Sequence, residues 1–329
     1  MPRDPTIPPR PARASSNTPD TQRRVCNHPD MDKSLTLLVD AASLIYRALF
    51  SIPDSIRASD GTPMNAAYGF LDMLSRLVGD HKPDYICCAA DDDWRPQWRV
   101  DLIDSYKAHR AEEGSAQEEA EIKLAPQEPV IVNLLSRVGV SVVGHPGYEA
   151  EDVIGTLAQR APGRVAIVSG DRDLFQLVRD PKIALLYPKR GVSVVDTVNE
   201  AYIEQKYGIP GRAYMDYAVL RGDPSDGLPG VRGIGDKLAA GLISKHGSVE
   251  GVLAAIDASE RGTSLEKVRL QRDYVERAMK VVAIPTDLPI EPVDISATVA
   301  EADESLYEEA RSYSLEGPVR RLASALGGS

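Results

Sequence analysis

Val165-Ala166-Ile167-Val168-Ser169-Gly170-Asp171-Arg172-Asp173-Leu174 is the stretch on which the fold turns. Val165 to Val168 are mostly β-branched and apolar, a run too short for a helix, so they read as a buried strand closed by a turn. Asp171 and Asp173 follow where that strand must leave its sheet. Two other apolar runs end alike: Leu35 to Val39 stops on Asp40, and Tyr85 to Ala90 stops on Asp91-Asp92-Asp93. Sites in open α/β sheets form outside the carboxyl ends of the strands. An aspartate that caps the following helix accounts for any one of these. Acids at the same end of three strands point to a metal site.

The chain has 329 residues, a formal net charge of -11 and three cysteines. Ordinary apolar content and this length allow a large core. A DNA-binding protein usually carries a basic face, so the global charge opposes that function unless the acids are spent on cations. Cys87 and Cys88 sit in an apolar run as small core residues and, with Cys26, form no CxxC pair. That usage suits a reducing cytoplasm, and no run reaches membrane-spanning length. Residues 1–33, rich in Pro, Arg, Ser and Asp, read as a disordered tail, with Met31 a plausible start.

Along the chain, Ala41 to Phe50 is expected to be a helix that carries Arg47 nearly two turns beyond Asp40, over the same edge or into a surface ion pair. Asn65 to Val78 shows a helical apolar stripe. Arg95 to Arg110 is basic and aromatic. On a continuous helix Arg99, Ile103 and Lys107 share one side, which suits phosphate contact and base stacking or a merely solvated face. Ala111 to Glu128 is acidic and reads as an exposed, mobile excursion. Glu149, Glu151 and Asp152 open a helix; Glu149 and Asp152 face together, and Glu151 points elsewhere if the helix is regular there. Ile183 to Tyr187 and Val192 to Val195 are further strands, and Asn199 to Tyr207 is a short helix. The character then becomes helical with Gly-rich turns, which places a boundary near Gly208.

Gly222 to Ala239 holds the strongest signal of the second half. Asp223 and Asp226 flank a proline suited to the first turn of a helix, with Asp223 as its cap. Gly230, Gly233 and Gly235 let backbone N–H groups face an anion, and the helix starting near Asp236 adds its amides. Arg232, Lys237 and Lys245 bring positive charge. There is no Walker lysine spacing and no G-x-G-x-x-G. Ser248 to Ser329 reads as helices around an extended stretch at 284–292.

Were Asp40, Asp92, Glu149, Glu151, Asp152, Asp171, Asp173, Asp223 and Asp226 to fold together, each like-charge pair near 4 Å would cost about 4 kcal/mol at an effective dielectric of 20. Hard divalent cations resolve that repulsion, and oxygen-only ligands select Mg²⁺ or Mn²⁺. Two such ions activate water and stabilise the leaving oxygen of a phosphodiester.

From Leu35 to about Ile290 the chain resembles the 5′-to-3′ exonuclease, or flap endonuclease, family, including the 5′-nuclease domain of bacterial DNA polymerase I. The motifs run in order: Leu38-Val39-Asp40 with Tyr46-Arg47; Asp92 with Arg99 and Tyr106-Lys107-Ala108-His109-Arg110; Pro146 to Asp152; Gly170 to Leu174; and Gly222 to Ala239. The resemblance implies a PIN-like, mostly parallel α/β nuclease domain (34–207, with an arch near 95–128). A helix-three-turn-helix DNA-binding domain (208–329) would follow. It implies that the nine acids hold two or more Mg²⁺ or Mn²⁺ ions directly or through water. Arg47, Arg99 and Lys107 would act on the scissile phosphate. Tyr106, Arg110, Arg232, Gly233, Ile234, Gly235 and Lys237 would contact DNA, with K⁺ at the Gly233–Gly235 turn. The expected partners are DNA flaps, nicks and 5′ ends or RNA–DNA hybrids, met by a cytoplasmic, nucleoid-associated monomer. Three departures stand out: Glu151 where the family usually has Asp, a longer and more acidic arch, and an end where a polymerase would continue. A DNA-junction binder without catalysis is the competing reading, and the retention of an acid in every motif speaks against it.

Overall fold

The fold follows from a register of two. In the computed structural model, which describes residues 33–298 and 303–327, neighbouring strand residues send side chains to opposite faces of one sheet. Leu38, Cys87, Ile167 and Leu185 enter one apolar core, and Leu37, Val39, Ile86, Cys88 and Val168 enter a second. Both faces are covered, so the strands read as unbroken apolar runs.

β1 (Leu35–Asp40) passes into α1 (Ala41–Ser51), and α2 (Asn65–His81) leads to β2 (Tyr85–Ala89). A short α3 (Gln97–Leu102), then α4 (Ala116–Leu124) and α5 (Glu128–Val138), precede β3 (Ser141–Val143). α6 (Ala150–Arg160), β4 (Arg164–Val168), β5 (Ile183–Arg190) and β6 (Val194–Val198) complete the sheet. Next come α7 (Glu200–Tyr207), α8 (Tyr214–Arg221), α9 (Asp236–His246), α10 (Val249–Asp257), α11 (Thr263–Arg269) and α12 (Arg272–Val282). α13 (Glu304–Ser312) and α14 (Glu316–Ala325) are the last.

The sheet order is β3-β2-β1-β4-β5-β6. All pairs are parallel except β5–β6. The chain builds outward from β1 through β2 and β3, then returns to β1's other side with β4. That reversal opens a crevice at the carboxyl ends of β1 and β4. Asp40 and the Ser169–Asp173 turn therefore flank one opening.

Three expectations change. Residues 111–128 are no loose excursion, because α4 seats Ala120 and Leu124 in the core beside α1. Gln127 accepts hydrogen bonds from the N–H groups of Ala66 and Ala67, which caps α2, whose own start lacks a side-chain cap. The segment from 95 to 110 is no single helix, since α3 ends at Leu102 and Ile103 is extended. Not all of 208–329 stays together either: α14 lies on α2, and Leu306, Leu315 and Leu322 join the core of the first half. The expected tail falls, apart from Lys33, outside the described residues.

Gly155, inside α6, has no room for a side chain. A Cβ there would lie 2.5 Å from both Ile284 Cγ2 and the Pro285 carbonyl oxygen. Alanine improves helix propensity by about 1 kcal/mol, yet overpacking costs about 1–3 kcal/mol. Gly155→Ala is therefore expected to lower the urea midpoint; a variant more stable than wild type would refute this packing.

Candidate metal centre

The crevice is a cavity of about 410 Å³ walled by charge. Eight carboxylates face it, from Asp40, Asp91, Glu149, Glu151, Asp171, Asp173, Asp223 and Asp226, against the cations Lys107, Arg110 and Arg172. Glu151, Asp171 and Asp173 each bring an oxygen within 4.8 Å of the others. This is a hard, oxygen-only donor set, which fits divalent cations of the Mg²⁺ or Mn²⁺ kind.

Each acid is positioned by its own loop. Asp40 ends β1 and caps α1, accepting from Ser43 N–H at 3.0 Å, while the Ser169 hydroxyl donates to its other oxygen. The Asp173 N–H donates to Asp171 Oδ1 at 2.8 Å, a tight turn that aims both acids outward from β4. Asp223 caps a single 3₁₀ turn, Pro224–Asp226, with Pro224 in its first turn. Gly227, at φ +69°, then passes so close to Ser105 that a Cβ would sit 2.0 Å from the Ser105 carbonyl oxygen. That approach ties the acidic turn to the basic segment: the Lys107 N–H donates to the Asp226 carbonyl at 2.9 Å, and Arg110 pairs with the Asp226 carboxylate at 2.7 Å.

Several expected site residues lie elsewhere. Asp92 is outside the cavity and accepts from Gly147 N–H, while Asp91 lines the cavity and accepts from Ala150 N–H at 2.7 Å. Asp152 is fully buried and receives both ends of the Arg99 guanidinium, at 2.7 and 3.0 Å, along with the Glu149 N–H. Arg99 itself is 0% exposed and also pairs with Glu149 and Glu151 at 2.8 and 3.3 Å. It stacks over Trp98 and donates to the Val281 carbonyl. A guanidinium so fully engaged is an internal counter-charge, not a group that meets substrate. Lys107, at φ 48°, turns its amine onto Glu149 at the cavity wall, and Tyr106 donates to the same carboxylate at 2.6 Å. Glu151 does face the cavity, against the helical-spacing expectation. Glu149 is the extended cap rather than a helical residue, so it does not share the helix's angular register.

Arg47 lies behind Gly170, with one nitrogen 3.3 Å from the Pro188 carbonyl; Tyr46 lines the cavity instead. The Tyr46 hydroxyl and Arg47 Nε are buried with no hydrogen-bond partner among the described residues. Sequence reading missed Asp91, Trp94 and Arg172. The aspartate run around Asp91 and the aspartates flanking Arg172 were the available signals. Arg232, Gly233, Gly235 and Lys237 lie exposed around buried Ile234, away from the cavity. The Gly233 carbonyl there accepts from the Lys267 ammonium at 2.9 Å.

Crowding shows in proton affinity. Burial, opposed by the two serine hydrogen bonds and assisted by Asp91 and Asp171, pushes Asp40 up to about 7. Burial and then Asp171 hold Asp173 well above the carboxylate range, and burial and then Glu149 do the same for Glu151. Burial likewise raises Asp91 and Asp226.

The comparisons with known proteins agree with this architecture. Residues 35–208 match the family model for the 5′-3′ exonuclease N-terminal resolvase-like domain, and 209–305 match that for the 5′-3′ exonuclease C-terminal SAM fold. A 5′-3′ exonuclease of Streptomyces coelicolor is 46% identical over 299 residues, covering 88% of this chain and 99% of the relative. One from Mycobacterium tuberculosis is 41% identical, covering 89% and 98%. DNA polymerase I of Mycobacterium bovis is 37% identical across 79% of this chain but only 28% of its own length. Among solved structures, a T5 5′-exonuclease with bound divalent metal ions (zinc) aligns with a TM-score of 0.62 at 14% identity, covering 89% of this chain and 98% of that one. Flap endonuclease-1 from Methanococcus jannaschii aligns at 0.57 and 16% identity, covering 89% and 93%. At such identities these two show the fold.

A carboxyl whose pKa rises on folding favours the folded state fully below its unfolded value and loses that contribution as pH climbs through the folded one. For Asp40 the window runs from 3.8 to about 7. In chelator, the melting temperature is therefore expected to be lower at pH 8 than at pH 6. Mg²⁺ or Mn²⁺ should raise it more at pH 8, because the ion replaces protons. A scanning-fluorimetry series in which the metal shift is equal at both pH values would exclude the cavity carboxylates as the ligands.

Proposed function

The chain belongs to the 5′-3′ exonuclease family, and from that premise we propose that it hydrolyses phosphodiester bonds at 5′ ends, nicks and 5′ flaps of DNA. RNA primers in hybrids fall within the same proposal. We assign the work to the cytoplasm, at the nucleoid, and to a monomer. The observation that carries the reading is the crevice itself: eight carboxylates brought by the ends of three strands and two further loops into one cavity.

Within it, Asp40, Asp91, Glu151, Asp171 and Asp173, with Asp223 and Asp226 across the opening, are the proposed metal ligands, directly or through water. The ions supply activation of water and stabilisation of the leaving oxygen. The protein's own part is to hold this set rigid. Arg99 locks Asp152 behind the cavity wall and, with Lys107 and Tyr106, fixes Glu149 in that wall. Lys107, Arg110 and Arg172 then present positive charge to a phosphate entering the cavity. Tyr46 lines the same wall, its hydroxyl buried without a hydrogen-bond partner among the described residues. Residues 34–207, together with Asp223 and Asp226, would carry the chemistry, and the helices from 208 would grip duplex backbone through Arg232, the Gly233–Gly235 turn and Lys237. A potassium ion at that turn would have to share the Gly233 carbonyl with Lys267.

The test is cleavage of labelled 5′-flap, nicked and RNA-primed duplexes with Mg²⁺ and Mn²⁺ in parallel. Asp173→Asn is expected to reduce cleavage below detection while flap binding persists; turnover within a few-fold of wild type would remove Asp173 from the reaction. Glu151 carries the charge of an aspartate on a longer arm, and Mg²⁺ tolerates displaced ligands less than larger ions do. Glu151→Asp should therefore raise Mg²⁺-supported turnover relative to Mn²⁺, and an unchanged ratio would show that reach at this position does not matter.

A further inference from the structure

A second cavity, of about 580 Å³, lies between α7, α8 and α9 and shares Arg172 with the metal cavity. Among the described residues its other cations are Lys206, Arg221 and Lys237, against one carboxylate, Asp236. That acid is already committed: Arg221 holds it at 2.6 Å and the Tyr217 hydroxyl donates to it at 2.9 Å. Lys206 stands on an aromatic floor, its amine 2.9 Å from the Tyr202 hydroxyl and above the rings of Tyr202 and Tyr207, at 5.1 and 5.5 Å. Lys206 and Lys237 are exposed, so the positive charge faces solvent. On a chain of net charge -11 such a local excess is a departure that needs a cause.

Position supplies the rest. Arg172 stands between the two acids of the β4 turn, with one nitrogen 3.8 Å from Asp223, so it forms the wall between groove and metal cavity. Lys237, also on the groove, lies in the first turn of α9, which follows the glycine-rich turn. A polyanion lying along Lys237 and Lys206 arrives at Arg172, and past Arg172 it meets the carboxylate cluster. A groove that sets four cations against one carboxylate, with the Lys206 amine over two aromatic rings, suits a phosphate backbone better than an apolar ligand.

We propose that this groove is a second backbone subsite, which holds the phosphodiester chain on one side of the scissile linkage and delivers it past Arg172 to the metal centre. It rests on the nuclease reading above, adds Lys206 and Arg221 to the residues that contact DNA, and gives Arg172 a second side on which to do so. Lys206 is here a positioning residue, remote from the carboxylates.

The test measures 5′-flap binding in calcium across a salt series for wild type, Lys206→Gln and Arg172→Gln. Each neutralised contact should reduce the slope of log affinity against log salt by about 0.9 and weaken binding several-fold. Neutral methylphosphonate linkages placed one at a time along the flap substrate then locate the contact. One position should weaken wild type yet have little further effect on Lys206→Gln, since two changes to one contact are not additive. Equal salt slopes in all three proteins, or full additivity at every linkage, would overturn the proposal. So would Lys206-dependent binding of polyglutamate alongside unchanged DNA affinity, which would assign the groove to an acidic protein. Wild-type protein that neither binds nor cuts flap DNA would instead overturn the nuclease reading, so the two failures are distinguishable.

Discussion

The structure depends on how mutual repulsion among buried carboxylates is contained. Eight of them share a cavity of about 410 Å³, where each close pair costs several kcal/mol even at an effective dielectric of 20. Two devices act from the protein side. Asp40 and Asp173 are pushed toward protonation by burial, which removes charge at the expense of ligand strength. Arg99 and Lys107 instead place fixed positive charge inside the protein, against Glu149, Glu151 and Asp152. Arg99 has its donors met by carboxylates and the Val281 carbonyl and its face against Trp98. Breaking a buried pair of this kind typically costs about 3–5 kcal/mol. The cluster and its counter-charges must therefore fold as one unit.

That requirement explains why the two halves of the chain interlock. Arg99 reaches the carbonyl of Val281 at the end of α12. Gln176, just past the β4 acids, bonds to the carbonyl of Val282 and accepts from Ile284 N–H. Gly155 lets α6 lie directly on Ile284 and Pro285. The acids of the Gly222 loop are thus held against those of the sheet by packing as well as by charge. The last two helices close the other face, where Arg321 pairs with Asp72 and Arg137 with Asp303. These exposed pairs add little energy; the leucines beside them seal the core.

What the sequence made legible was whatever a short apolar run decides. Those runs located Asp40, Asp171 and Asp173, because a residue at the end of a buried strand has one place to go. Asp91 and Asp92 could not be told apart on that basis. β2 ends at Ala89 rather than Ala90, and one residue reverses which aspartate faces the crevice. Arg99 and Lys107 were assigned one helical face, but α3 lasts six residues and Lys107 adopts a left-handed backbone. Long-range charge compensation overrode local spacing there. Arg172 is masked for the opposite reason. Flanked by two acids in a short turn, it read as part of their setting, and only the cavity beyond it gives it a separate role.

Net charge and local charge finally have to be reconciled. A chain at -11 repels a polyanion at long range, and simple electrostatic steering would disfavour the encounter. At about 0.15 M salt, however, interactions between exposed charges are largely screened beyond about 8 Å. The acids that matter most face inward on a cavity, where divalent ions can neutralise them, whereas Lys206, Lys237 and Arg232 face outward. Approaching phosphate thus meets the basic groove first and the acids only after Arg172. Metal occupancy and backbone binding then support one another, since neutralised carboxylates stop repelling the phosphate that the groove delivers. On this account the acidity of the chain is the condition for holding metal, and recognition is left to a few cations whose positions, rather than whose number, decide the outcome.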